Sequence, residues 1–468
     1  MIALLDEISV PTRRLSEYAA MALTRPLPDV VVEKARHHIL DTLAAMVSGS
    51  RLRPGLMAIG YVASLGGVPE ASVVGTQLRT SAANAALANG MLAHADETDD
   101  SHAPSRTHPG CAVIPAALAI AERGRSSGER FLRAVVLGYD VAARMNYAIG
   151  ADALAAASRS THSVGGIFGA GAAAGALLGL GATQMRHLMS YCAQQASGVG
   201  CNVRDSEHIE KAFDFGGMPA RNGVAAATMV AHGFTGIDDV FSGERNFFEA
   251  YAPEPDPPRL AEALGERFEI LSTNIKKWSV GSPAQSALDA LTCLMESEKP
   301  AFGEIAAIRV HLPARSARTV DNAPMPDINV QHLMALLLVD GYVTFHSVHD
   351  RERMKDRSIL AARSKIELIP SQELMEARPR RQAIVELALR DGRRLSHRTI
   401  AVRGTADNPM SRAEVEAKAL DLMAATLGPE RAGQLVKACR SLESCRDITE
   451  FRGLWEPSAS WQEKRSPA

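Results

Sequence analysis

Between residues 15 and 251 the apolar residues recur with a helical period, and no segment in that span alternates as a strand would. Helix-like runs fall at 30–47, 81–94, 112–122, 131–147, 165–178 and 185–196. A chain patterned this way is committed to an all-helical domain over its first half. The most apolar segment, 165–182, is built largely of glycine and alanine. It is shorter than the roughly 20 residues a membrane-spanning helix needs, which predicts a core helix. Gly171, Gly175 and Gly179 recur every four residues and predict one small-residue face where a neighbour closes in. Each glycine costs a helix about 1 kcal/mol relative to alanine, a cost that close packing would offset.

The period changes after the proline-rich break PEPDPP at 253–258. Apolar residues then alternate over 305–312, and 365–369 is a second short candidate strand. Segments 383–390 and 395–402 flank Asp391-Gly392 and predict a β-hairpin, with an apolar helix at 330–339 before it. Helical period returns over 411–427 and 430–442, where Ser411 and Glu414 have the spacing of a capping box. The expected fold class is mainly α. A large, discontinuous all-α helical domain (1–267 plus 405–468) would accompany a smaller α+β domain (268–404).

The charge balance narrows the function classes. Lys+Arg 51 against Asp+Glu 53 gives a formal net charge of -2, which argues against a general nucleic-acid or membrane-surface binder. Any cationic pocket must be local. Cys111, Cys192, Cys201, Cys293, Cys439 and Cys445 are scattered, with no CxxC pair for zinc or an iron-sulfur cluster, and read as thiols in a reducing compartment. The start MIALLDEISVPTRR lacks a basic region ahead of a long apolar run, so a cytoplasmic location is expected.

Chemistry concentrates in 89–121, NGMLAHADETDDSHAPSRTHPGCAVIPAALAIA. Leu87, Met91 and His94 share a helical face that runs into the acids Asp96, Glu97, Asp99 and Asp100. Pro104 and Pro109 forbid a continuous helix, and His108 immediately precedes the next one. Such a cluster can be a solvated loop. It can also be a metal site, since Asp99, Asp100, His102 and His108 are competent zinc or manganese ligands, though no HExxH or HxH spacing completes a shell. The third reading is a metal-free acid/base pocket in which imidazoles move protons and carboxylates orient them.

The motif Asn89-Gly90, Ala93-His94, Asp99-Asp100-Ser101-His102 and His108-Pro109 resembles the signature NGxxAHxxDxDDTHxxxxxHPS of the MmgE/PrpD family. That family includes 2-methylcitrate dehydratase, cis-aconitate decarboxylase and iminodisuccinate epimerase. Asp41-Thr42-Leu43 with Gly49, GYDVAARM from Gly138, THSVGGIFGAGAAAGALLGL from Thr161, ARNG from Ala220 and GFTGIDDVFSGERNFF from Gly233 also resemble family blocks in family order. The resemblance covers most of the chain. It implies an all-α domain with the α+β domain inserted before the C-terminal helices, a homodimer, and a lyase that needs no cofactor and no metal.

The resemblance also nominates residues. His162 corresponds to a family active-site histidine, and Lys211 stands where relatives show TMTKxLHxGxAARNG. Here the motif's histidine is replaced by Asp214 or lost, and one residue is inserted before Ala220-Arg221. Arg221 reads either as a carboxylate clamp or as a helix-surface arginine. Lys276 and Lys277, beside Trp278, occupy the family's KPYPxC loop, whose bland reading is a charged linker. In the first motif Glu97 replaces an aspartate and Thr98 an aromatic.

The implied chemistry is a dehydratase for a small hydroxylated di- or tricarboxylate, 2-methylcitrate-like. His108 and His162 would exchange protons beside a carboxylate, with Asp99, Asp100 or His102 as second acid. Glu97, Ser101, Lys211, Arg221, Lys276 and Lys277 are the expected substrate-binding residues, with closure of the small domain bringing the lysines in. Decarboxylation or epimerisation of a cis-aconitate-like or iminodisuccinate-like acid fits the same carbanion. A metal-dependent hydrolase using Asp99, His102 and His108 is the alternative from another class, and a non-catalytic binding protein that reuses the fold is a further one.

Overall fold

A computed structural model describes residues 8–457. The protein is mainly helical with a small sheet, and it divides into two compact units. The first runs to Thr273 and resumes at Leu422, and the second is Asn274–Asp421. Among the described residues no helix is long and apolar enough to cross a membrane.

In the first unit the Thr161–Leu177 helix is the central packing element. All its residues except His162 are buried, as expected of a helix apolar on every side. Ser160 caps its start by accepting from the Ser163 amide. Small residues let it press against the Gly128–Ile149 helix, where a Cβ on Gly169 would lie 2.5 Å from the Gly138 carbonyl oxygen. On another side, Cβ atoms at Gly171 and Gly175 would stand 2.6 Å from Cys192 Sγ and Leu188 Cδ2 of the Ala182–Gln195 helix. The expected stripe stops there. Gly179 lies beyond the helix at φ +73, a left-handed conformation that ends a helix instead of lining one.

The expectation of no strand in this half needs one correction. Ala71–Ser72 (β1) and Arg79–Thr80 (β2) form a two-residue antiparallel ladder, too short to impose a period on the sequence.

The second unit holds a four-stranded sheet in the order β4-β3-β5-β6, with β3 Ile305–Pro313, β4 Ile366–Ser371, β5 Ala383–Leu389 and β6 Arg394–Thr399. β3 pairs parallel with β4 and antiparallel with β5, and β5–β6 is the antiparallel hairpin around Gly392. Residues 400–402 lie outside the hairpin strand expected to contain them. Burial alternates strictly along β5, whose inner residues Val385 and Leu387 share a core with Leu288, Leu291, Leu333 and Met334. Trp278 packs against that core and donates from Nε1 to Asp289 at 3.1 Å. The Ser411–Glu414 capping box forms: Ser411 donates its amide to Glu414 Oε2 at 2.8 Å, and the Glu414 amide reaches Ser411 Oγ at 3.4 Å.

Candidate active site

The site is assembled from the ends of helices in the first unit. The Ala82–Ala93 helix stops at His94, whose φ and ψ of -116 and 33 break the helical path. A loop stitched by a His102–Thr107 bridge follows, and the Gly110–Arg123 helix begins two residues after His108.

Asp99, fully buried, sits between two imidazoles. Its oxygens lie 3.0 and 3.1 Å from His108 Nδ1. Oδ1 is also 3.0 Å from His94 Nδ1, close enough for charge pairing but off the line of a hydrogen bond. His108 meets His162 edge-on, ring centroids 5.0 Å apart. Burial, then the neighbouring His108, His94 and Lys211, hold His162 well below the ordinary histidine range, so its imidazole is neutral near pH 7. An imidazole held neutral beside one anchored by a carboxylate makes a proton acceptor and donor pair.

Asp100 and His102 face other partners. Asp100 accepts from the Tyr139 hydroxyl at 2.5 Å and from the Gly110 amide at 3.0 Å, and lies 2.7 Å from His38 Nδ1. It thereby fixes the helix start that carries His108. Burial lowers His38 to about 4, which leaves that ring neutral as well. His102 reaches Ser105 Oγ at 2.6 Å with Nδ1 and stands 3.3 Å from Glu269 Oε2 with Nε2. Burial alone would raise Glu269, yet His102 and Arg267 hold it at about 2.

Of the expected substrate-binding residues, Lys211 and Glu97 come together as an ion pair. Ser101 is buried with no partner for its hydroxyl among the described residues. Arg221, half-buried, donates to Asn222 at 3.1 Å with its guanidinium 5.9 Å from the Phe213 ring. Lys276 and Lys277 belong to the second unit, Lys276 buried and Lys277 with Nζ 4.5 Å above Trp278.

Among the described residues Asp99, His102 and His108 are not one of the sets whose donor atoms all lie within 4.8 Å of one another; His102 turns Nδ1 to Ser105 and Nε2 toward Glu269. Two other groups offer donor atoms within 4.8 Å of one another: His94, Asp99 and Cys111, and His94, Glu97 and His208. In the second, Lys211 already neutralises Glu97. His208 lies at φ 60 with its ring 5.0 Å from His94, and burial followed by Lys211 and His94 lowers it to about 3.

Residues 13–260 match the MmgE/PrpD N-terminal domain, and residues 278–443 match the MmgE/PrpD C-terminal domain. The chain belongs to the MmgE/PrpD family. A cis-aconitate decarboxylase-like protein of Aspergillus oryzae is 25% identical over 476 residues, covering 95% of this chain and 96% of that protein. A cis-aconitate decarboxylase of Aspergillus terreus is 29% identical over 236 residues, 47% of this chain and 46% of its own. Another, from Aspergillus terreus strain NIH 2624, is 28% identical over 250 residues, 50% and 48% of the two chains.

One departure from the MmgE/PrpD pattern has a structural expression. The residue inserted after Lys211 is absorbed as a π-helical turn, Phe213–Gly217, running into the Met218–Ala231 helix. Asp214, within that turn, is tied down by Ser160 Oγ at 2.5 Å, Ser163 Oγ at 3.3 Å and Asn202 Nδ2 at 2.6 Å. Burial raises it to about 6 against those bonds. Phe215 instead turns its ring toward His94, His108 and His162. His94, His208 and Phe215 received no role from the sequence: His94 stood inside the motif, while His208 and Phe215 carry no spacing signal.

Proposed function

We propose that this chain is a lyase acting on a small polycarboxylate through histidine acid/base chemistry at a carbon next to a carboxylate. The observation that carries the reading is Asp99 anchoring His108 while His108 abuts the neutral His162. Lys211 supplies the positive charge for a substrate carboxylate, which would exchange with Glu97. A charge-assisted hydrogen bond of that kind is worth about 1.5–3 kcal/mol. The same charge stabilises the enediolate-like electron density that forms at the reacting centre.

Decarboxylation of a cis-aconitate-like acid is the leading branch, supported by the names of the A. oryzae and A. terreus relatives. In that branch the bond to the departing carboxylate breaks, carbon dioxide leaves, and the electron pair it leaves behind takes a proton from a histidine. Dehydration of a 2-methylcitrate-like acid is the second branch, supported by the paired histidines: one takes the α-proton and the other returns a proton to the departing hydroxyl. Asp100 and His102 serve here as anchors of the His108 loop. Lys276 and Lys277 remain proposed carboxylate partners on their motif position, and residues 268–404 a proposed lid domain.

The test is incubation of purified protein with cis-aconitate and, separately, 2-methylcitrate, with products followed by NMR. Carbon dioxide release from the first supports the leading branch and water loss from the second the other. Failure to consume these or related polycarboxylates would sink the reading.

A further inference from the structure

The side chains that orient the acid/base histidines are unequal. His108 is oriented by the two carboxylate contacts of Asp99. His162 has no such partner: its Nδ1 is buried without a hydrogen bond among the described residues. His94 Nε2 is likewise buried and unpartnered. A histidine's second side-chain torsion joins sp³ to sp² carbon and has broad, weakly preferred minima, so the residue itself does not fix its ring plane. His94 at least turns its Nδ1 to Asp99 Oδ1, 3.0 Å away, whereas the plane of His162 must be held by something else.

Phe215 lies between them. Its ring stacks on His162 at 3.6 Å with 15° between the planes, and on His94 at 4.4 Å with 17°. His108 meets it edge-on at 5.4 Å, and Lys211 Nζ is 5.3 Å from its centre. The residue is 6% exposed, so its ring has little freedom of its own. Its backbone is also clamped. Gly216 faces Gly90 so closely that a Cβ on Gly216 would lie 2.1 Å from the Gly90 carbonyl oxygen. Cys111 Sγ lies 3.4 Å from the Phe215 carbonyl and 3.2 Å from that of His108, tying the π-turn to the loop that carries His108.

We propose that Phe215 is a positioning residue that sets the ring planes of His94 and His162 by stacking between them, doing for His162 what Asp99 does for His108. The π-turn is what delivers it. An α-helical path through 213–217 would rotate the following residues by about 100° and move the ring off the histidines. The proposal rests on the acid/base reading for its catalytic consequence. Its structural content stands without that reading.

The test compares Phe215→Leu with Phe215→Tyr in the full-length protein, each checked for folding by thermal melt. Phe215→Met, unbranched and adaptable, replaces the leucine variant if that one does not fold. Phe215→Leu is expected to lower kcat about 10-fold, the size of two aromatic contacts, with KM within about 3-fold of the parent. Phe215→Tyr retains the stack and stays near the parent. Imidazole NMR of the substrate-free proteins gives the second readout. The His94 and His162 ring protons lose their ring-current shift in Phe215→Leu and keep it in Phe215→Tyr, while His102 is unmoved. Unchanged kcat in Phe215→Leu, equal impairment in both variants, or unmoved His94 and His162 resonances each overturn the proposal. If no polycarboxylate is turned over at all, the proposed reaction fails, and the NMR comparison alone decides whether Phe215 sets the rings.

Discussion

Asp99 holds His108 Nδ1 with both carboxylate oxygens, at 3.0 and 3.1 Å, and it does so from full burial. A buried carboxylate in that position fixes the tautomer of the imidazole and directs the other ring nitrogen at whatever binds. Loss of either side chain therefore has different consequences. His108→Ala, which would remove the proposed proton-transfer group, is expected to lower turnover by about 10²-fold or more, and His162→Ala likewise. Asp99→Asn keeps the volume, leaves the fold, and lowers turnover by a smaller factor. Steady-state kinetics on the three variants checks the order, and near-parental turnover in either histidine variant would demote that residue to packing.

Asp100 is expected to matter for stability. Asp100→Ala would strand the Tyr139 hydroxyl, the Gly110 amide and His38 in a buried space, a loss on the order of 3 kcal/mol. Chemical denaturation reads this directly. An Asp100→Ala protein of parental stability and no turnover would return Asp100 to the reacting groups.

Lys211 and Glu97 form an ion pair whose proposed part in substrate binding can be tested from both sides. Lys211→Ala should raise KM at least as strongly as it lowers kcat, because its charge meets a carboxylate present before the reaction starts. Glu97→Gln removes the internal competitor and should lower KM several-fold. A higher KM in Glu97→Gln would mean that Glu97 touches the substrate itself.

Acid should destabilise the fold through its buried neutral imidazoles. His208 is lowered to about 3, so between pH 6.5 and about 3 the unfolded chain binds a proton that the folded chain does not. The stability tied to this group is thus complete above pH 6.5 and declines as pH falls through that window, by about 2 kcal/mol at pH 5. His208→Asn tolerates the left-handed backbone and should flatten that decline. Melts at pH 7 and pH 5 would show it, and an unaltered slope would contradict the burial argument.

The helices, the hairpin around Gly392 and the capping box at Ser411 were legible because each is a local pattern: a 3.6-residue period, a period of two flanking a turn, and a cap three residues from its partner. Asp99 and His108 were legible through their motif, and their partnership is short-range in sequence. The division of labour within that motif was not. Asp100 and His102 look the same as Asp99 in one dimension, and their contacts with Tyr139, from a helix 39 residues away, and with Glu269 are invisible there. Phe215 was hidden for a related reason. A one-residue insertion is visible in sequence, but its resolution into a π-turn that swings an aromatic ring between two histidines depends on how Gly216 packs against Gly90.

The most direct test of the account is proton NMR of the reaction in deuterated water, with the parent protein and with His108→Asn and His162→Asn. Histidine-mediated chemistry beside a carboxylate predicts deuterium at that carbon, in the product for decarboxylation and, through reversal, in the substrate for dehydration. It also predicts that incorporation slows by about 10²-fold in each variant. Turnover without solvent deuterium at that carbon, or parental exchange in both variants, would contradict it.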